Sequence, residues 1–192
     1  MWRLVAVAIV VAPLPAGADD GLGFVALGVG MEVLTRDASS DNVGGAMLEL
    51  GQAIHPRLRL VESIAGTSGV IDRDMPIVRE SHVAPTMGLR WIPFAPEAAD
   101  PATPFSLSPH FDATAVHVEA RVGIDVRQRS PYGAPDVESS TGLAPVGVAA
   151  LGYAPLQGRG YGVGVEVAEH ISYFTDGYQR GLTIVIVGQL DR

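Results

Sequence analysis

The sequence predicts an all-β chain: a single antiparallel, up-and-down, eight-stranded transmembrane β-barrel that follows a cleaved signal peptide. Three observations carry this expectation. Eight runs alternate between apolar and polar or small residues, the side-chain period of a strand, with turn chemistry between them. The clearest run is Val116 to Arg127: Val116, Val118, Ala120, Val122, Ile124 and Val126 share one face, and His117, Glu119, Arg121, Gly123, Asp125 and Arg127 share the other. The polar faces mix glycine with charges of both signs, which suits the inside of a narrow barrel and leaves the apolar face for lipid.

The N-terminus reads as a secretory signal. Met1-Trp2-Arg3 is a short basic start, Leu4 to Ala12 is an apolar stretch, and Ala16-Gly17-Ala18 is a small-residue cleavage site. Residues 1–18 are therefore assigned to the signal peptide and 19–192 to the barrel domain. The apolar stretch is too short to span a bilayer as a helix, and no later segment is apolar for the required length. A membrane-embedded form of this chain must cross as strands. The chain has no cysteine, which excludes a disulfide scaffold.

The formal charge is −8, and all thirteen basic residues are arginine. No basic patch exists, so nucleic acid is not an expected partner. Charged residues are only 18% of the chain, against about 25% in an average soluble domain. A large lipid-facing surface accounts for that shortfall.

The first run is Leu22 to Thr35, with Val25, Leu27, Val29, Met31 and Val33 against Ala26, Gly28, Gly30 and Glu32. Arg36 to Asn42 reads as a polar loop. The second run is Val43 to Ile54, with Leu48 and Leu50 against Met47 and Glu49, and His55-Pro56-Arg57 is a tight turn. The third run, Leu58 to Ala65, is the least regular, because Glu62 falls on the face of Leu58, Leu60 and Ile64; a bulge or register change is expected there. A loop over Gly66 to Pro76 leads to the fourth run, Arg79 to Ile92, where His82, Thr86, Gly88 and Arg90 share a face.

Pro93 to Pro104 is Pro-rich and non-periodic. Val116 to Arg127 is the fifth run, followed by a polar loop from Gln128 to Ser140. The sixth run is Gly142 to Tyr153, Ala154 to Gly160 turns the chain, and the seventh run is Tyr161 to Tyr173. Thr175 to Arg180 turns it again before the eighth, Leu182 to Leu190. Runs of this length match the roughly 9–11 residues a strand needs to cross a bilayer. Soluble sandwich strands are shorter, about 5–6 residues.

The predicted polar lumen holds Glu32, Glu49, His82, Arg90 and His117, together with Glu119, Arg121, Asp125, Arg127 and Glu166. Buried charges persist only when paired, so these groups are expected to close salt bridges inside the barrel. Arg129 falls in the loop after the fifth run, so charge reversal at Arg121 is expected to destabilise the fold more than reversal at Arg129. Aromatic residues fall where strands end. Trp91, Tyr153 and Tyr161 would mark the periplasmic interface, and Tyr173 and Phe174 the opposite one.

This pattern resembles the small outer-membrane β-barrel superfamily of OmpA-type proteins over nearly all of the mature chain. The resemblance implies an integral protein of the Gram-negative outer membrane, a monomer surrounded by outer-membrane lipid and inserted by the barrel-assembly machinery. A structural, adhesive or narrow-pore, porin-like role is what it implies.

Candidate chemistry is sparse. Gly21-Leu22-Gly23-Phe24-Val25-Ala26 fits a dinucleotide fingerprint but lacks its strand and helix context, so it reads as flexible glycine at the mature N-terminus. His117 and Glu119 are spaced as metal ligands can be, and His82 could join them, yet an interior hydrogen-bonded network is the preferred reading; no metal and no cofactor are expected. His170-Ile171-Ser172 resembles the outer-membrane lipid A 3-O-deacylase family, which would make His170 the general base and Ser172 the nucleophile. Tyr173 stands where that family has Asn, Asp176 is near the expected acid but displaced, and alternation turns both residues inward, so no catalytic residue is assigned. The third class considered is a soluble periplasmic, lipocalin-like barrel binding a small apolar ligand, with the apolar faces as its core.

Overall fold

Alternation over the described residues is nearly unbroken, and every long run becomes a strand. The computed structural model describes residues 23–36, 39–55, 57–71, 77–94, 106–107, 116–132, 139–158 and 161–191. The long strands are β1 (Gly23–Arg36), β2 (Ser39–His55), β3 (Leu58–Ile71), β4 (Val78–Trp91), β6 (Val116–Pro131), β7 (Ser140–Gly158), β8 (Tyr161–Phe174) and β9 (Gly177–Asp191), with a two-residue strand β5 (Ser106–Leu107) laid against the end of β7. Each long strand pairs antiparallel with the next. The sheet closes where β1 meets β9, from Phe24↔Asp191 to Thr35↔Arg180. The result is an eight-stranded, up-and-down antiparallel barrel, the fold class the alternation predicts. No helix among the described residues is long and apolar enough to cross a membrane.

Closure fixes what is inside. Glu32, Glu49, Glu119, Asp125 and Glu166 are buried, while Leu27, Met31, Val122 and Ile186 are 60% exposed or more. A soluble barrel that binds an apolar ligand needs the reverse, so the lipocalin-like arrangement does not hold: the valine-rich faces form the outer wall. Shortest among the long strands are those of 14 residues. At ~3.3 Å per residue and a tilt near 45°, these reach about 33 Å along the barrel axis. That exceeds the ~25 Å apolar band of a membrane barrel.

The structure corrects several boundaries. The predicted Arg36–Asn42 loop is mostly strand, because β1 and β2 stay paired out to Arg36↔Ser39. β3 runs on to Ile71 through residues read as loop, in continuous register with β4 from Leu58↔Trp91 to Ile71↔Val78. No bulge sits at Glu62; that side chain points outward in an unbroken ladder, and the irregularity of this hairpin lies between Ala53 and His55. β6 continues to Pro131, β7 runs from Ser140 past a register shift between Tyr153 and Leu156, and the last hairpin turns on Thr175 and Asp176 alone. Gly177 takes φ +131°, a conformation that side chains with a Cβ disfavour. Gly23 opens β1, so this glycine is strand rather than flexible tail, and Gly21 lies outside the described residues. Residues 1–18 and most of Pro93–Pro104 lie outside the described residues.

Candidate functional site

The site is the barrel interior, and register builds it. Facing strands bring opposite charges to the same rung: Arg90 lies across from Glu119, and Glu80 across from Arg129. Large interior side chains are set against glycine. Phe24 faces Gly51, Arg121 faces Gly88, His117 faces Gly152 and His170 faces Gly181. A Cβ at Gly51 would lie 1.9 Å from the Phe24 ring, and one at Gly152 would lie 2.0 Å from the His117 ring. The narrow lumen holds bulky groups because the neighbouring strand gives up its side chain.

Two polar layers result. The first lies toward the end marked by Trp91. Arg90 donates to Glu119 and Glu49, and through Nη1 to Gln189 at 3.3 Å. Arg121 donates to Glu49 at 2.8 Å and to Glu166 at 3.2 Å, and its Nη1 is 3.1 Å from Glu119. The Arg90 guanidinium also stacks 4.4 Å over the Phe24 ring, which fills part of this end of the lumen. His117, with 16% of its side chain exposed, completes the layer beside Glu119 and Glu166.

The second layer lies toward the other end. His82 sits between Asp125, 3.0 Å from Nδ1, and Glu80, 2.9 Å from Nε2. Ser172 donates to Asp125 at 2.6 Å, and Gln179 donates to Glu80 at 3.0 Å. His170 Nε2 is 3.0 Å from Glu32. At the mouth above, Arg127 and Arg36 both hold Asp176 Oδ2, at 2.7 and 2.8 Å, and Arg127 lies 4.0 Å over the Phe174 ring. Partial burial pushes the Asp176 carboxyl up, but the hydrogen bonds and charges of Arg127 and Arg36 outweigh it and hold the group below the usual carboxylate range. A cavity of about 60 Å³ separates the layers, bounded by Met47, Ser63, Thr86 and Val146.

All ten residues of the predicted lumen set line this interior, split between the layers and the mouth. Sequence reasoning missed Glu80, Gln179 and Arg129. Glu80 is two residues from His82 on the same face, and Arg129 continues the spacing of Arg127, so alternation pursued further would have found both. Gln179 was hidden in a segment read as turn. Arg129 is not a loop residue: its Nε lies 2.8 Å from buried Glu80, so it belongs to the interior.

Phe174 is a second correction. It is 7% exposed and packs inward against Arg127 and, edge-on at 6.1 Å, His82, because the even positions of β8 face the lumen. Trp91 and Tyr173 are outward at 52% and 63%; exposed Phe94, Tyr132 and Tyr178 stand at strand ends that sequence reading did not single out. Tyr153 lies on the outward side of β7, and Tyr161 opens β8.

His170 and Ser172 do not form a nucleophile pair. The serine hydroxyl has one proton and gives it to Asp125, and the residue is fully buried. A histidine and two carboxylates that come together are His117, Glu119 and Glu166, whose candidate ligand atoms lie within 4.8 Å of one another. His82 is committed to the other layer.

The chain resembles solved outer-membrane barrels in fold. Ail, the attachment invasion locus protein of Yersinia pestis, matches with a TM-score of 0.61 at 11% identity, covering 88% of this chain and 99% of Ail. Neisserial surface protein A matches at 0.56 and 10% identity, covering 88% of this chain and 96% of that one. The N-terminal β-barrel domain of Pseudomonas aeruginosa OprF matches at 0.51 and 7% identity, covering 88% and 99%. No family model and no curated protein sequence matches the chain. The fold is that of the small eight-stranded outer-membrane barrels.

Proposed function

We propose that this chain is a small integral outer-membrane protein with a structural or adhesive role, closed to bulk solute by its own side chains. The observation that carries this reading is inverted polarity. Ion pairs fill the interior, and Leu27, Val29, Met31, Val122, Ile184 and Ile186 are each more than half exposed on the wall. Water offers no reason for that distribution, whereas hydrocarbon does. Phe24 with Arg90 toward one end and Phe174 with Arg127 toward the other occupy the lumen among the described residues, which favours a closed barrel over a pore. The interior ion pairs act in this reading as the lock that fixes strand register.

Residues 1–18 serve as the signal peptide, the barrel-assembly machinery inserts the mature chain, and the protein works as a monomer in lipid. The adhesive arm draws on Ail, which is named for attachment and was crystallised with a heparin analogue. Expression in a Gram-negative host with fractionation tests the reading. The expected result is a protein in the outer membrane that migrates differently before and after boiling. Release by osmotic shock without detergent would overturn it.

A further inference from the structure

We propose that His117, Glu119 and Glu166 form a binding site for a divalent transition-metal cation, with zinc the best-fitting ion, at the barrel end marked by Trp91. His117 Nε2 lies 3.5 Å from Glu119 Oε1, which also accepts from Arg90, and 3.5 Å from Glu166 Oε2. Tetrahedral zinc with bonds of about 2.0–2.2 Å to nitrogen and oxygen sets neighbouring ligand atoms about 3.4 Å apart. His117 is thus spaced from both carboxylates for the ion, and the candidate ligand atoms of all three side chains lie within 4.8 Å of one another.

A second observation points the same way. His117 Nε2, Glu119 Oε2 and Glu166 Oε2 are buried and make no hydrogen bond. Glu166 is 1% exposed, so its idle oxygen is costly to keep there without a partner. The adjacent guanidiniums bond the other oxygens of these carboxylates, Arg90 to Glu119 Oε1 and Arg121 Nη2 to Glu166 Oε1 at 3.2 Å; Arg90 Nη2 is 3.8 Å from Glu166 Oε2, beyond hydrogen-bond reach, and Arg121 Nη1, 3.1 Å from Glu119 Oε2, donates to Glu49.

Charge supplies the attraction. The layer sets three carboxylates, Glu49, Glu119 and Glu166, against two guanidiniums, Arg90 and Arg121, leaving one negative charge in excess. Metal ligation takes the imidazole in its neutral form. One imidazole with two carboxylates suits zinc and its neighbours rather than calcium or magnesium, and leaves a fourth position for water. Gly152 keeps the pocket open, since a Cβ there would stand 2.1 Å from His117 Nε2. The 16% of the His117 side chain that stays exposed gives the ion its way in. This inference rests on the fold and not on where the barrel resides.

The test uses the refolded barrel in detergent, stripped of metal and titrated with zinc by calorimetry and with cobalt by visible absorption. One equivalent should bind with a tetrahedral cobalt spectrum, and affinity should fall as pH is lowered. His117→Ala should weaken binding more than about a hundredfold, beyond the roughly 10–100-fold that loss of a supporting contact gives, while His55→Ala, at the exposed end of β2, should not. In the unsubstituted barrel, zinc should protect His117 but not His55 from diethylpyrocarbonate, a readout that does not depend on any variant folding. Absence of stoichiometric binding, binding unchanged in His117→Ala, or unprotected His117 would each overturn the proposal.

Discussion

Arg121 is shared by three carboxylates, at 2.8 Å from Glu49, 3.1 Å from Glu119 and 3.2 Å from Glu166. Arg121→Glu would place a fourth carboxylate among them. It should cost at least about 3–5 kcal/mol, the range for a buried charge stripped of its partner, read as a lower urea midpoint for unfolding in detergent. Arg129 is a poor comparison, because it too faces a buried carboxylate. Arg180, exposed on the outer rim beside Glu169, is the right one, and its reversal should cost under about 1 kcal/mol. Ser172→Ala removes one of the two hydrogen-bond partners of buried Asp125, leaving His82, and should cost about 1–3 kcal/mol by the same assay. Asp176 gives a pH signature. Its folded carboxyl is held below the unfolded value, so its stabilisation is complete above about pH 4 and is lost as pH falls through the folded value. Asp176→Asn should flatten that acid limb, by less than about 1 kcal/mol because the group is part exposed.

At the scale of strands, the recurring device is a large interior residue opposite a glycine, as in Phe24↔Gly51 and His117↔Gly152. Alternation along one strand cannot reveal it, because the partner lies on another strand whose register the sequence does not state. The same limit explains the strand ends. Ser39 to Asn42 and Gly66 to Ile71 carry turn residues, yet they stay extended because the hairpin partner continues. Glycines themselves divide by what surrounds them. A Cβ at Gly88 would stand 2.0 Å from the Ala120 carbonyl oxygen, whereas one at outward Gly147 meets nothing within 4 Å. Gly88→Ala should therefore destabilise the barrel by about 1–3 kcal/mol and lower the refolding yield. Gly147→Ala should be neutral or slightly stabilising by the same refolding assay.

For the whole molecule, the inside-out partition was legible in the alternating faces. Each polar position named for the lumen lies on the closed side of the wall, and Val118, Val122 and Ile124 lie on the open side. Which charges meet was not legible. The Arg90–Glu49 pair joins β4 to β2, and the Ser172–Asp125 bond joins β8 to β6, strands that are not paired but flank β3 and β7 and meet only through the curvature of the sheet. The absence of cysteine makes the outer wall open to direct probing. Single cysteines placed at Val29, Val122 and Ile186 can each carry a fluorophore in bilayers whose acyl chains are brominated. The account predicts strong quenching at all three positions and little at a label on Ser40 near a strand end. Unquenched labels on Val29, Val122 and Ile186, from a protein that stays folded and monodisperse without detergent, would contradict it.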